Sequence, residues 1–159
     1  MFSAREIYHL AIQIEKNGET FYREALEKIS NPVLRELIVW IADQELEHEE
    51  WFSKKMAVLE EKADDLDLEE IGHSILQNIL GDQSFSLKEA DLFRMDNLED
   101  LLRLAIEFEN DTILFYEMIG SLVDDEETSK KLQEIIKEER HHIELLQGFE
   151  DKENGGKGA

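Results

Sequence analysis

Cysteine is absent from all 159 residues, which excludes a disulfide framework, thiolate-held zinc or iron–sulfur sites, and any cysteine nucleophile. Basic residues are scarce: 17 Lys and Arg stand against 39 Asp and Glu, a formal charge of −22. Such a surface is a poor match for nucleic acid or an anionic membrane, because phosphate contacts need Lys and Arg. Proline occurs once and glycine eight times, so the chain carries little of the punctuation that loops and hairpins require. No stretch approaches the roughly 18–20 consecutive apolar residues of a membrane span. The opening Met1-Phe2-Ser3-Ala4-Arg5-Glu6 places charge where a signal peptide needs an apolar run. A soluble, cytoplasmic, single-domain protein is expected, long enough to bury a sizeable core.

What is abundant is apolar residues at helical spacing. The pattern predicts a first helix over Ser3–Ile29, stopped at Ser30-Asn31-Pro32, and a second from Pro32 to Lys62. Pro32 suits a first helical turn, where its missing N–H costs nothing. Asp64-Asp65-Leu66-Asp67 breaks the pattern, and Glu69–Leu80 reads as a short helix ended by Gly81, while residues 82–96 carry no clear assignment. A third long helix is expected over Asn97–Val123, opening on a capping-box-like Asn97 and Asp100. A fourth is expected over Glu126–Gln147, stopped at Gly148. This makes residues 1–147 the folded domain and 148–159 a short polar tail with no fold role. Helices one and two, and three and four, are joined by tight turns, whereas a long crossover carrying the short helix separates two from three. The architecture is therefore all-α, a four-helix bundle built from two antiparallel hairpins.

The hairpins repeat one another. Displaced by 94 positions, Leu10, Ala11, Ile12, Glu15, Phe21 and Tyr22 fall on Leu104, Ala105, Ile106, Glu109, Phe115 and Tyr116. The same displacement puts Ile41, Glu45, His48 and Glu50 on Ile135, Glu139, His142 and Glu144. A site between the hairpins should be pseudo-symmetric. At about 100° per residue, Glu15, Glu45, Glu109 and Glu139 each sit in the middle of their helix's apolar stripe, with His48 and His142 about 60° from Glu45 and Glu139. All five histidines follow a Glu by three residues, so that spacing alone says little; His9, His73 and His141 miss the stripes and are expected in solvent.

An unpaired buried carboxylate costs several kcal/mol, and the stripes contain no Lys or Arg to pair with four of them. Two divalent ions, at +4, neutralise four Glu, and two neutral imidazoles complete the shells. Carboxylate with imidazole favours Fe or Mn over Ca, which takes oxygen ligands, or over structural Zn.

These residues resemble the rubrerythrin branch of the ferritin-like superfamily. The resemblance rests on Glu15, Glu45-x-x-His48, Glu109 and Glu139-x-x-His142 and on the flanking strings Ala11-Ile12-Gln13-Ile14-Glu15 and Glu138-Glu139-Arg140-His141-His142, and covers residues 3–147. It implies a ferritin-like bundle in which Glu45 and Glu139 bridge two metal ions. Glu15 and His48 then complete one ion's shell, and Glu109 and His142 the other's. It implies iron as the metal, with Mn or Zn as alternatives in purified protein, and a non-haem di-iron oxidoreductase that reduces hydrogen peroxide. Full rubrerythrins carry a four-Cys rubredoxin-like iron site that this chain lacks, so electrons are expected from an external donor such as a rubredoxin-like protein. They also carry an extra Glu one turn after the third-helix ligand, where this chain has Thr112. A ferroxidase using O₂ to detoxify iron, and a non-catalytic metal-binding bundle, are the alternative readings.

Two further features complete the pattern. Tyr22 and Tyr116 follow Glu15 and Glu109 by seven residues on the same stripes, and helical side chains lean toward the N-terminus, so each hydroxyl is expected to reach a ligand carboxylate. Glu19 and Glu49, just off their stripes, are expected at the rim. A second apolar lobe, with Leu10, Ile14, Phe21, Trp40, Trp51, Leu104, Phe108, Phe115 and Leu122, needs cover from the crossover or from a homodimer partner.

Overall fold

The computed structural model describes residues 4–60, 97–123 and 125–157. The expected short helix over 69–80, the segment 82–96 and His73 lie outside them. Four long helices make up the described fold: α1 (Ala4–Ala25), α2 (Pro32–Glu60), α3 (Leu98–Gly120) and α4 (Glu126–Lys157). Helices α1 and α2 pack as one hairpin, α3 and α4 as the other, and the hairpins meet along α1–α3 and α2–α4. Among the described residues, no helix is long and apolar enough to cross a membrane.

The helix boundaries follow local chemistry. After Ala25 the chain tightens into a 3₁₀ turn, Leu26–Lys28, and Ile29 turns extended (φ −111°, ψ 122°), three residues ahead of Pro32. Asn31 then opens α2, its side-chain oxygen accepting from the Val33 and Leu34 N–H at 2.9 and 3.2 Å. The Arg35 guanidinium reaches back to the Leu26 carbonyl and donates to that of Ile29 at 2.7 Å, occupying acceptors that the end of α1 leaves open. At α3 the Asn97 side chain accepts from Asp100 N–H at 2.8 Å, the cap its sequence announces. The helix stops at Gly120 rather than Val123, with the Ser121 hydroxyl donating to the Met118 carbonyl at 2.7 Å. Asp125 caps α4 through the Thr128 N–H and hydroxyl, at 3.2 and 2.5 Å. Tyr8 meets the same hydroxyl at 2.6 Å and so ties α1 to the start of α4.

The C-terminal boundary departs furthest from expectation. Helix α4 does not stop at Gly148 but runs on to Lys157. Glycine ends a helix by taking a left-handed conformation, and no described glycine has positive φ. Gly148 costs this helix about 1 kcal/mol relative to Ala without breaking it. Phe149, one residue on, packs half-buried against the core and helps to hold the extension in place.

The core is the stripes read from sequence. Leu34, Ile38, Ile41 and Phe52 of α2 are buried against Ala11 and Tyr22 of α1, Leu102, Ala105 and Tyr116 of α3, and Leu132, Ile135 and Leu146 of α4. Much of the second lobe is covered as well: Leu10, Ile14, Phe21, Phe108 and Phe115 are buried, while Trp40 and Leu122 stay exposed.

Candidate metal centre

Each long helix delivers one fully buried carboxylate to the interior: Glu15 from α1, Glu45 from α2, Glu109 from α3 and Glu139 from α4. His48 and His142, one turn beyond Glu45 and Glu139, are buried with them. Among the described residues no Lys or Arg is buried. The six side chains converge into two overlapping groups whose ligand atoms lie within 4.8 Å of one another. Glu15, Glu45, His48 and Glu139 form one, and Glu45, Glu109, Glu139 and His142 the other, so Glu45 and Glu139 belong to both.

The polar atoms of this interior are left unpaired. Glu15 Oε2, Glu109 Oε2, both oxygens of Glu45 and of Glu139, and the Nδ1 atoms of both histidines are buried without a hydrogen-bond partner. His48 Nδ1 faces Glu15 and Glu139 at 3.4 and 3.2 Å, and His142 Nδ1 faces Glu45, Glu139 and Glu109 at 3.4, 3.3 and 3.7 Å. Orphaned buried acceptors are costly and rare, and here all point at one space. Carboxylate oxygens and imidazole nitrogens converging with no buried Lys or Arg among the described residues could hold a transition-metal pair, and the residues fit that occupant.

The outer atoms of the same side chains are satisfied. Tyr22 of α1 donates to Glu109 Oε1 and Tyr116 of α3 donates to Glu15 Oε1, each at 2.6 Å. Each tyrosine therefore serves the opposite hairpin. Its own helix's Glu is seven residues back, about 10 Å along the axis, beyond the reach of a phenol. Phe21 and Phe115 pack edge-on or tilted against these rings, with centroids 5.2 and 5.6 Å away. The imidazoles are held across the interface too: His48 Nε2 pairs with Glu138, and His142 Nε2 with Gln44 Oε1 at 2.6 Å. With Nε2 turned outward to these partners, each Nδ1 faces the cluster, where its lone pair would be open to a metal ion once the ring is neutral.

Burial and mutual repulsion set the charge state of this interior without metal. Burial, then the charges of Glu139, Glu15 and Glu109, push the Glu45 carboxyl well above its usual range. Burial, then Glu139, does the same to Glu109. For Glu139 burial works against ionisation, but the Glu109, His142 and His48 groups facing it outweigh burial and hold it well below its usual value. Burial also opposes protonation of the imidazoles, yet the carboxylates prevail, raising His48 well above and His142 to about 10 from 6.5. Burial and the neighbouring carboxylates raise both tyrosines well above 10.0, so both remain donors.

Other expected residues lie apart from the centre. His9 and His141 are exposed. Glu19 accepts from Arg23 at 2.9 Å, and Glu49 lies 3.8 Å from Lys16, so both belong to the rim. Thr112 is fully buried, but its hydroxyl turns back to the Phe108 carbonyl at 2.9 Å.

Three residues escaped the sequence reading. Gln44 and Glu138 were detectable, since they are equivalent under the 94-residue displacement and each precedes a site histidine by four. Gly18 lets two groups approach closely: a Cβ there would lie 2.9 Å from the Phe108 ring and 3.2 Å from Glu45 Oε2.

Comparison with known proteins agrees with this geometry. No curated protein gives a significant match. A Thermotoga maritima protein described as a ferritin-like diiron-carboxylate protein shares the fold, with a TM-score of 0.67 and 24% identity over 96% of this chain and 97% of that one. A hypothetical protein of Pyrococcus furiosus superposes with a TM-score of 0.66 and 22% identity, covering 94% of this chain and 89% of that one. The rubrerythrin family profile matches residues 6–150, from the first turn of α1 through the Phe149 extension of α4 and across all six converging Glu and His residues. The chain belongs to the rubrerythrin family.

Proposed function

We propose that this chain is a non-haem di-iron oxidoreductase that reduces hydrogen peroxide with electrons from an external donor. The observation that supports it is the convergence of eight unpaired Glu and His atoms in an interior with no buried Lys or Arg among the described residues. Glu15, Glu45, His48 and Glu139 would hold one ion and Glu45, Glu109, Glu139 and His142 the other, with Glu45 and Glu139 common to both groups.

Two ferrous ions, when bound, supply the two electrons that convert one peroxide and two protons into two waters. The chain's own residues do the rest. Four carboxylates balance the ionic charge, which an apolar interior would not otherwise tolerate. Tyr22 and Tyr116 fix the orientation of Glu109 and Glu15 while keeping their own protons. Phe52, stacked on Tyr116 at 5.9 Å, and the buried Ile38 and Phe108 keep bulk water out. With no Cys in the chain, re-reduction falls to a separate donor such as a rubredoxin-like protein. Thr112 has no carboxylate to offer where the resemblance expects an additional Glu, so ligand exchange at that position is not available to this protein.

The test is metal content and optical spectrum of anaerobically purified protein, reconstituted with Fe(II) and given one equivalent of peroxide. About two Fe per chain and a fast-rising ferric near-ultraviolet band, both lost in Glu45→Ala and Glu139→Ala, are expected. Faster oxidation by O₂ than by peroxide would make the protein a ferroxidase. A single redox-inert ion, or none, with no oxidation signal would reduce it to a structural bundle.

A further inference from the structure

The two halves of the centre match at almost every polar position. Under the 94-residue displacement Glu15 corresponds to Glu109, Tyr22 to Tyr116, Glu45 to Glu139 and His48 to His142. The match extends to geometry, since the two tyrosine-to-carboxylate bonds are both 2.6 Å. The residues that hold the imidazoles break it. Gln44 and Glu138 occupy equivalent positions, yet His48 is held by the carboxylate of Glu138 and His142 by the amide oxygen of Gln44.

This difference has a direct consequence for metal binding. A carboxylate accepting the Nε2–H draws that proton more strongly than an amide does and leaves Nδ1 the better electron-pair donor. The clusters contain three carboxylates each, so the imidazole's basicity is not masked by a difference in ligand count. We infer that Glu138 and Gln44 make the two metal positions inequivalent, the position formed by Glu15, Glu45, His48 and Glu139 filling first. Glu138 and Gln44 are positioning residues that act through the imidazoles. The inference rests on the reading of the two clusters as a di-metal centre.

The experiment uses Co(II) alone, added to the full-length metal-free protein. Crystals grown with one equivalent are measured at the cobalt absorption edge, so that anomalous scattering gives the occupancy beside His48 and beside His142. Titration followed through the Co(II) visible bands gives the two affinities in solution. The wild type should fill the His48 position first, with affinities separated on the order of tenfold. Glu138→Gln should remove the preference. The double exchange Gln44→Glu with Glu138→Gln, which keeps the chain's total charge, should reverse it. Both side chains are part-exposed and the exchanges nearly isosteric, and circular dichroism of each variant checks that the bundle is intact. Equal occupancy in the wild type, or a preference unmoved by the double exchange, would overturn the inference while leaving the di-metal reading standing. Failure of the wild type to bind Co(II) at all would overturn both.

Discussion

The α1–α2 hairpin and the α3–α4 hairpin carry the same buried Glu and His residues at the same spacing, and they differ in what surrounds those residues. Gly18 of the first corresponds to Thr112 of the second, Gln44 to Glu138, and the exposed Trp40 to the exposed Glu134. Each exchange has a visible effect. Gly18 admits the Phe108 ring and the Glu45 carboxylate against the α1 backbone, whereas Thr112 spends its hydroxyl on its own helix. The Trp40 ring lies edge-on to His142 at a centroid distance of 5.4 Å, and an acid stands at the matching place on the other hairpin. The repeat gives two matching Glu and His clusters, and their neighbours do not match.

The largest effects should come from removing what the hairpins share. Glu45→Ala or Glu139→Ala strips a carboxylate from both clusters, and metal analysis should show both ions lost. Glu15→Ala or Glu109→Ala touches one cluster only, so each should retain about one ion per chain by the same logic. Equal losses in all four variants would break the division into two positions.

Next comes pH. In the metal-free protein Glu45, Glu109, His48 and His142 all hold protons more tightly than usual. A folded-state value raised above the unfolded one contributes stability below the unfolded pKa, and the contribution is lost as pH rises through the folded value. For His142 that window runs from 6.5 to about 10. Glu139, held low, contributes stability above 4.5 and changes nothing within it. The Tm of metal-free protein should therefore fall across the window, while the Co(II)-loaded protein, whose ligands have already given up their protons, should not follow. Thermal scans with chelator and with Co(II) check this.

Gly18→Ala and Thr112→Ala test equivalent positions with opposite expectations. The methyl at Gly18 meets the Phe108 ring at 2.9 Å. Overpacking costs about 1–3 kcal/mol and outweighs roughly 1 kcal/mol of gained helix propensity, so urea denaturation should show a net loss. Removing the Thr112 hydroxyl takes its Phe108 acceptor's extra bond but leaves the helix ladder intact, and should cost less than about 1 kcal/mol.

The smallest signal is optical. With Trp51→Phe as background, Trp40 emission should be quenched by the second equivalent of Co(II) rather than the first, because Trp40 touches the His142 side. Quenching by the first equivalent would place the initial ion on the other hairpin.

Much of this protein was legible in the order of its residues. A 3.6-residue period assigns each side chain to a face, so the four buried Glu, both site histidines and most of the core could be read directly. Asn97 announced its cap by chemistry that acts within one turn. Gly148 misled, because glycine permits a helix end without requiring one, and Phe149 beyond it still finds the core. The crossover and its expected short helix lie outside the described residues.

The sequence by itself determined the stripes, the repeat and the lack of Lys or Arg in the four Glu-centred stripes, since these depend only on spacing and residue type. Only the tertiary structure decided that Tyr22 serves Glu109, Tyr116 serves Glu15, Glu138 holds His48 and Gln44 holds His142. Helical periodicity states which way a side chain faces. Which atom it meets depends on the axial offset and the roughly 8–10 Å separation of two packed helices. Those are settled by how the stripes interdigitate, a property of the two hairpins together and of neither alone.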